Sequence, residues 1–401
     1  MKFGLLAGGL VLLAGLLVSC SSNSATPTSG SGFVYVTTEG NTSLSSFSID
    51  FNTGGLTSFG KSVSTGSTPI AMVPSGSTLW VLNGPGTTPP SGGSISAFAL
   101  GSDGSVSASS STTAITMGVN AKGLAVAPNG KFLFVANQGT YLDATNPPSH
   151  QPGTISVFSI SGTGASGETA FPTELQNAPV GSGPSAVAVT PDGKYLYVAN
   201  FFAGTVNAFS IDATTGALTA VANSISTPYL VGTAPSAMTV TPDGGVLYVT
   251  NSGGPSISAF AICNQVKTSC PDVNNPDGTL HPVADSPFST GLSPMALAID
   301  PLGKYLYVVD QGSNQVSQYQ ISSATGKLTA LSPATISTGT FPFGVAIHSE
   351  VSGGTLEYVY VSNFGSDSIS AFKLDTTTGL LSLSGTPVVS TSGQPSAVAV
   401  E

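Results

Sequence analysis

Arginine is absent from this 401-residue chain, and lysine supplies all nine basic residues. The chain therefore lacks the planar guanidinium that holds a phosphate or carboxylate through two parallel hydrogen bonds. Charged residues make up only 7% of the sequence, the formal net charge is −10 and the pI is near 4.5. An acidic chain without arginine is not expected to bind nucleic acid.

Short motifs for catalysis or metal binding are also missing. The sequence has no Gly-x-Ser-x-Gly, no His-Glu-x-x-His, no Cys-x-x-Cys-His and no EF-hand loop. We therefore expect no metal ion and no cofactor. No segment shows the apolar period of an amphipathic helix, so the chain is predicted to be all-β.

The N-terminus has the pattern of an export signal. Met1-Lys2 precedes an apolar run, and Leu17-Val18-Ser19-Cys20 fits the lipobox of bacterial lipoproteins. A spanning anchor is the alternative, but the run is shorter than the roughly 20 residues that cross a bilayer. We predict a signal peptide at 1–20, lipidation of Cys20, a Ser/Gly/Thr tether at 21–31 and a folded region at 32–401. The protein would be a monomer held to a membrane, facing the periplasm or the cell surface.

A unit of four short strands repeats along the folded region, and Gly183 to Thr219 shows it most clearly. Seven units in 370 residues give about 53 per unit, as in propeller blades. The unit ends in an Asp-x-x-Thr-Gly turn, and Asp50, Asp212 and Asp375 in these turns suggest Asx turns rather than calcium ligands. The aromatic-Val pair of each second strand marks the units: Tyr35-Val36, Trp80-Val81, Phe134-Val135, Tyr197-Val198, Tyr248-Val249, Tyr307-Val308 and Tyr360-Val361.

The two ends of the folded region complement each other. Pro395 to Val400 matches the first strand of the unit and stops there, whereas Phe33 to Val36 matches the second strand and has no first. We therefore predict a closed seven-bladed β-propeller of four-stranded antiparallel blades, in which the C-terminal strand completes the first blade. A β-sandwich is the alternative.

The repeat resembles a known family. Tyr248-Val249-Thr250-Asn251 spells the signature of YVTN repeats, and the Pro-Asp-Gly-Lys-Tyr-Leu-Tyr-Val segment is similar to that of lactonase-type seven-bladed propellers. That group includes 6-phosphogluconolactonase-like proteins and muconate cycloisomerases. The resemblance covers the whole folded region and implies a propeller fold, and it implies lactone hydrolysis as an activity.

Two kinds of loop divide the propeller into a scaffold face and a variable face. The scaffold face carries the regular turns between first and second and between third and fourth strands; the variable face carries the other loops, with insertions in blades 2 and 3. Polar residues end the second strands on the variable face, either as ligand contacts or as turn residues: Asn83, Asn137, Asn200, Asn251, Asp310 and Asn363. Four aromatic residues lie beside them, either as stacking surfaces for a ligand or as packing between blades: Tyr141, Phe201, Phe202 and Phe364.

Candidates for acid–base chemistry are few. His150 and Asp143 share the long loop of blade 3, and Asp310 ends a second strand; an ordinary solvated loop histidine is the alternative for His150. The repeat separates the three histidines, so His150, His281 and His348 cannot form one metal site. No catalytic residue is assigned.

Cys263 and Cys270 flank an insertion in blade 5. In an oxidising compartment so close a pair is expected to form a disulfide.

The sequence alone favours a non-catalytic binding or scaffold protein of the cell envelope, with a glycan, peptide or protein ligand on the variable face. The alternatives are a lactonase-family hydrolase and a purely structural envelope protein. The lack of arginine argues against a phosphorylated lactone as substrate, whereas a neutral lactone stays open.

Overall fold

The computed structural model describes residues 32–85, 93–114, 118–139, 141–143, 149–150, 152–160, 172–221, 224–263, 277–349 and 356–401. The predicted signal peptide and tether lie outside these residues. No helix in the ranges just given is long and apolar enough to cross a membrane.

Seven antiparallel sheets form the predicted propeller. The inner strands of blades 1 to 7 are Pro395–Val400, Pro69–Ser75, Ala121–Val126, Pro184–Val189, Pro235–Val240, Pro294–Ile299 and Pro342–Ser349. The second strands are Phe33–Thr38, Thr78–Asn83, Phe132–Asn137, Tyr195–Asn200, Val246–Asn251, Tyr305–Asp310 and Leu356–Asn363.

The third strands are Ser43–Ile49, Ser94–Leu100, Pro152–Ile160, Thr205–Ile211, Ser256–Ile262, Gln315–Ile321 and Ser368–Asp375. The outer strands are Leu56–Ser64, Val106–Ala114, Pro172–Ser182, Leu218–Ala220 with Tyr229–Leu230, Leu280–Pro282 with Phe288–Ser289, Leu328–Ser337 and Leu381–Ser390. The blade 3 loop adds a small hairpin of Tyr141–Asp143 with Ser149–His150, and blades 6 and 7 add the 3-10 helices Gln311–Ser313 and Phe364–Ser366.

The ring closes as the sequence predicts. Pro395–Val400 pairs antiparallel with Phe33–Thr38, and it packs against the inner strands of blades 2 and 7. Each inner strand contacts the inner strands of both neighbouring blades, so no inner edge is left open.

The repeated aromatic residues bind across blades to the repeated turns that end in Thr-Gly, which begin with Asp50 in blade 1, Ser322 in blade 6 and Asp375 in blade 7. The hydroxyls of Tyr248 and Tyr307 donate to the carbonyls of Gly326 and Gly379 in the next blade, at 2.6 and 2.7 Å, and Tyr360 donates to Gly54 across the ring closure. These glycines have φ near +72°, where a side chain is strained. The aspartates at the start of these turns form the predicted Asx turns, as in Asp212, which accepts the N–H groups of residues 214 and 215.

Candidate active site

The six polar residues that end the second strands are enclosed within the blades. Each is fully buried. Each side chain hydrogen-bonds to the third strand of its own blade. Asp310 accepts from the Ser317 hydroxyl at 2.6 Å. The five amides donate as follows: Asn83 to Ser96 (2.9 Å), Asn137 to Ser156 (2.9 Å), Asn200 to Asn207 (2.8 Å), Asn251 to Ser258 (3.0 Å) and Asn363 to Ser370 (2.9 Å).

The link between blades covers each of these side chains. A Cβ added to Gly66 would lie 2.6 Å from the amide of Asn83, and a glycine occupies the same place over the other five. Burial raises the pKa of Asp310, and hydrogen bonds from Ser317 and Thr290 oppose this change. The six residues thus join strands and links, whereas the sequence left open whether they are ligand contacts or turn residues.

The predicted aromatic residues fall into two groups. Phe201 and Phe202 pack edge to face, with ring centroids 5.3 Å apart, and both are half-buried in blade 4. Phe364 packs against Phe343 of its own blade at 5.6 Å. The backbone of Tyr141 pairs with that of His150 in the blade 3 hairpin, whereas the side chains of Tyr141, Asp143 and His150 lie outside the description.

The other two histidines are far from this hairpin. His281 lies on the outer strand of blade 5, 3.2 Å from the Thr279 hydroxyl. His348 is buried at the scaffold-face end of blade 7, where its ring packs 5.4 Å from that of Phe51 and burial lowers its pKa to about 4. The repeat therefore separates these two as predicted.

Two rings of seven residues surround the mouth of the central channel on the variable face. The bulge ring consists of the unpaired second residue of each inner strand, where a β-bulge interrupts pairing with the second strand. From blade 1 to blade 7 it is Ser396, Ile70, Lys122, Ser185, Ser236, Met295 and Phe343. The strand-end ring consists of the residue that follows each second strand. The backbone N–H of this residue donates to the carbonyl of the residue just before the inner strand of the same blade. From blade 1 to blade 7 the ring is Glu39, Gly84, Gln138, Phe201, Ser252, Gln311 and Phe364.

Charged and unpartnered polar groups of the mouth gather on blades 1 to 3. We call Glu39, Thr68, Lys122 and Gln138 the polar arc; Thr68 is the link residue just before the inner strand of blade 2. Glu39 Oε2, Thr68 Oγ1 and Gln138 Nε2 are buried and have no hydrogen-bond partner among the described residues. Buried polar atoms are rarely left unpaired. The Oδ1 atoms of Asn83, Asn137, Asn200 and Asn251 lack a partner in the same way beneath the links, so it is the presence of Glu39 and Lys122, together with the unpaired atoms, that makes the polar arc the candidate site.

Glu39 and Lys122 interact electrostatically within this arc. Burial raises the pKa of Glu39, and the ammonium of Lys122 partly opposes the change. Burial lowers the pKa of Lys122, which is only 9% exposed, and the Glu39 carboxylate partly opposes this. The pKa values of both groups are thus shifted toward neutral pH, as in many acid–base sites.

Sequence reasoning missed both residues. The candidates for acid–base chemistry were sought on the loops and strand ends of the variable face, among His150, Asp143 and Asp310. Lys122 is instead on an inner strand, and among the seven bulge positions it is the one charged residue. Alignment of the inner strands would have revealed it, because serine, isoleucine, methionine or phenylalanine stands at that position in the other blades.

The fold and this mouth define a class of protein, a seven-bladed β-propeller of the lactonase type. The model of the family described as "Lactonase, 7-bladed beta-propeller" matches residues 33–174, 108–233 and 153–341. The matches cover more than half of the chain, and the protein belongs to this family.

Curated relatives of the chain are named 6-phosphogluconolactonase. The protein of Formosa agariphila is 31% identical over 152 residues, which cover 38% of this chain and 40% of that protein. The protein of Bacillus subtilis is 29% identical over 159 residues, which cover 39% of this chain and 42% of that protein. The chain spans less than half the length of these relatives.

Solved structures share the fold over nearly the whole chain. The periplasmic gluconolactonase of Pseudomonas aeruginosa has a TM-score of 0.68 and 21% identity, and the match covers 92% of this chain and 99% of that one. A Bacteroides fragilis protein, provisionally named a 6-phosphogluconolactonase, has a TM-score of 0.71 and 20% identity over 94% of this chain and 100% of that one. At these identities the likeness shows the fold alone.

Family membership and the curated relatives correct the first interpretation of the sequence. A non-catalytic binding or scaffold protein was wrong as the preferred function, and the findings favour the alternative, a hydrolase of the lactonase family. The error came from weighing the missing arginine and missing local motifs above the family resemblance.

Proposed function

We propose that this protein is an exported, lipid-anchored lactone hydrolase that acts on an unphosphorylated lactone at the mouth of its central channel. The observation that carries the proposal is the polar arc, where the half-buried Glu39 carboxylate and the buried Lys122 side chain influence each other electrostatically beside unpartnered polar atoms. Membership of the lactonase family supports the reaction class.

Glu39 and Lys122 supply the chemistry that lactone hydrolysis requires. The Glu39 carboxylate takes a proton from water as the water oxygen attacks the lactone carbonyl carbon. The carbonyl oxygen then becomes negative beside the Lys122 ammonium, which stabilises it. When the ring C–O bond breaks, protonated Glu39 returns the proton to the leaving oxygen, and a hydroxy acid is formed.

The other two members of the polar arc orient the substrate. The Thr68 hydroxyl and the Gln138 amide have no partner among the described residues, so both can donate to oxygens of the lactone. The Gln138 carbonyl oxygen already accepts from Asn120 at 2.9 Å, and this bond directs the amide nitrogen away from Asn120.

The charge at the mouth favours an unphosphorylated substrate. A phosphate would call for an arginine clamp, several lysines or a helix N-terminus. Lys122 is the one cation that the described residues bring to this mouth, and its charge is already partly balanced by Glu39. The other six described lysines lie on an outer strand, a third strand or the scaffold-face turns: Lys61, Lys131, Lys194, Lys304, Lys327 and Lys373.

Hydrolysis of δ-gluconolactone and of a simple γ-lactone, followed at constant pH by base uptake, tests the proposal. We expect Glu39→Gln to lower kcat/KM by about 10²–10⁴-fold and Lys122→Ser by about 10²–10³-fold. Serine occupies the equivalent position in blades 1, 4 and 5, so Lys122→Ser is expected to keep the fold. Lys194→Met, which changes an exposed lysine of a scaffold-face turn, is the matched control and should retain activity.

The pH profile separates a chemical role from a structural one. Activity should rise as Glu39 deprotonates, above the usual carboxyl range, and should fall as Lys122 deprotonates, below the usual lysine range. Glu39→Gln should remove the acid limb. Full activity of both variants, or no turnover of any lactone by the wild-type protein, would refute the assignment.

A further inference from the structure

The mouth of the channel has an apolar side as well as a polar one. Met295 and Phe343, the bulge-ring residues of blades 6 and 7, are only 6% and 5% exposed, and they form a cluster with Phe364 that is separate from the cores between blades. We call these three residues the apolar arc. Phe364 is half-buried, and its ring packs 5.6 Å from that of Phe343, so part of the arc is exposed.

Seven-fold geometry places this arc opposite Lys122. In a ring of seven blades, the point diametrically across from blade 3 lies between blades 6 and 7. A small molecule whose carbonyl oxygen contacts Lys122 therefore extends toward Met295, Phe343 and Phe364.

Exposed side chains continue the apolar arc outward. Leu292 and Phe341 lie on the links that lead into the inner strands of blades 6 and 7, and each is 58% exposed. The Cβ of Phe341 lies against Gly365 of the 3-10 helix that begins at Phe364, and the Cβ of Leu292 lies against Gly312 in the matching 3-10 helix of blade 6. The two links thus hold apolar side chains on the variable face just outside the arc.

We propose that the lactone this site takes carries an apolar alkyl or aryl substituent, which packs on the apolar arc while the lactone ring lies on the polar arc. This inference rests on the proposed function. A sugar lactone would bring hydroxyl groups against Met295 and Phe343, whose side chains cannot hydrogen-bond to them, and unpaired polar groups weaken binding. An apolar substituent removes apolar surface from water on both partners.

A series of γ-butyrolactones tests the inference on the unmodified protein. With alkyl substituents from methyl to hexyl at the ring carbon next to the ring oxygen, kcat/KM should increase by about fourfold for each methylene that is buried, until the arc is filled. δ-Gluconolactone should be a poorer substrate than the hexyl compound. A flat series, or a preference for δ-gluconolactone, would overturn the inference while the proposed hydrolase activity stands; no hydrolysis of any lactone would instead refute the proposed function.

A variant locates the selectivity on the apolar arc. In Phe364→Ser the ratio of kcat/KM for the hexyl compound to that for unsubstituted γ-butyrolactone should fall at least tenfold. Leu383→Ser changes a 63% exposed residue on the outer strand of the same blade and should leave this ratio unchanged. Equal ratios in the wild-type protein and in a Phe364→Ser protein of unchanged melting temperature would contradict the assignment of the arc.

Discussion

Glu357 allows a quantitative prediction about stability. It is the second residue of the second strand of blade 7, at the scaffold face, and is 8% exposed. Its Oε2 atom has no hydrogen-bond partner in the described part of the chain. Burial raises its pKa from the usual 4.5 to about 7; the Asp300 carboxylate adds to the change, and the Lys304 ammonium opposes it. A carboxyl group whose pKa is raised by folding binds its proton more tightly in the folded state than in the unfolded state.

The sign of the pH dependence follows from this difference. Below pH 4.5 Glu357 is protonated in both states and has no effect on the balance between them. Between pH 4.5 and 7 the unfolded state loses its proton first, so the free energy of unfolding falls as pH rises, and above pH 7 the loss is constant. The change of about 2.5 pKa units corresponds to about 3 kcal/mol at most.

Glu357→Gln should remove this pH-dependent loss. The free energy of unfolding of the variant, relative to that of the wild-type protein, should increase by up to about 3 kcal/mol between pH 4 and pH 8. For a domain of this size this corresponds to about 4 °C in melting temperature. Melting followed by circular dichroism at pH 4, 6 and 8 measures the difference. A difference between the two proteins that does not change with pH would refute the reasoning.

Lys304→Met provides a second measurement on the same group. Removal of the ammonium should raise the pKa of Glu357 further, so the wild-type background should lose additional stability at pH 8. In the Glu357→Gln background this interaction is gone, so the pH-dependent effect of Lys304→Met should be smaller and limited to the part that acts through Asp300, whose pKa the Lys304 ammonium also lowers.

Three further predictions concern the ends of the chain and the blade 5 insertion. Cys20→Ala should release the protein from the membrane fraction or leave it unprocessed, and normal cleavage with retention in the membrane would contradict the lipid anchor. Deletion of Gln394–Glu401 removes the inner strand paired with Phe33–Thr38, so the melting temperature should fall sharply or the protein should aggregate; unchanged melting would count against closure. Cys263 is disulfide-bonded, and mass spectrometry without reduction should identify Cys270, which lies outside the described residues, as its partner; two free thiols would refute the pairing.

The architecture could be predicted because its determinants repeat. The blades share similar turn residues and an aromatic-Val pair, so the strands assigned in one unit predict the strands of the other six. Closure could also be predicted, because Pro395 to Val400 matches the inner strand of other units. The two 3-10 helices after Asp310 and Asn363 were missed, since three residues are too few to show a helical period.

The burial of the six polar residues that end the second strands was not predicted, for a physical reason. An asparagine at the end of a strand suggests a turn or a surface contact, because its side chain often bonds to nearby backbone. Here Asn83 and its five counterparts face their own third strand, and the link that covers them passes close because it carries a glycine there. That link joins a different blade, so the burial depends on contacts distant in sequence.

The polar arc escaped prediction for the opposite reason, since its residues break the repeat. At the bulge and strand-end positions a side chain need not bond to a neighbouring blade, and these positions differ from one blade to the next. Lys122 stands where Ser185 bonds the next inner strand through the carbonyl of Pro235 at 2.7 Å, so blade 3 gives up that bond for a buried, partly neutralised charge. Stability alone does not favour such an exchange, because burying a charge is unfavourable unless it is fully paired. Selection for a reaction at the mouth does favour it, and a buried charge at a position that is uncharged in the other six blades is therefore itself an argument that Lys122 acts on a ligand.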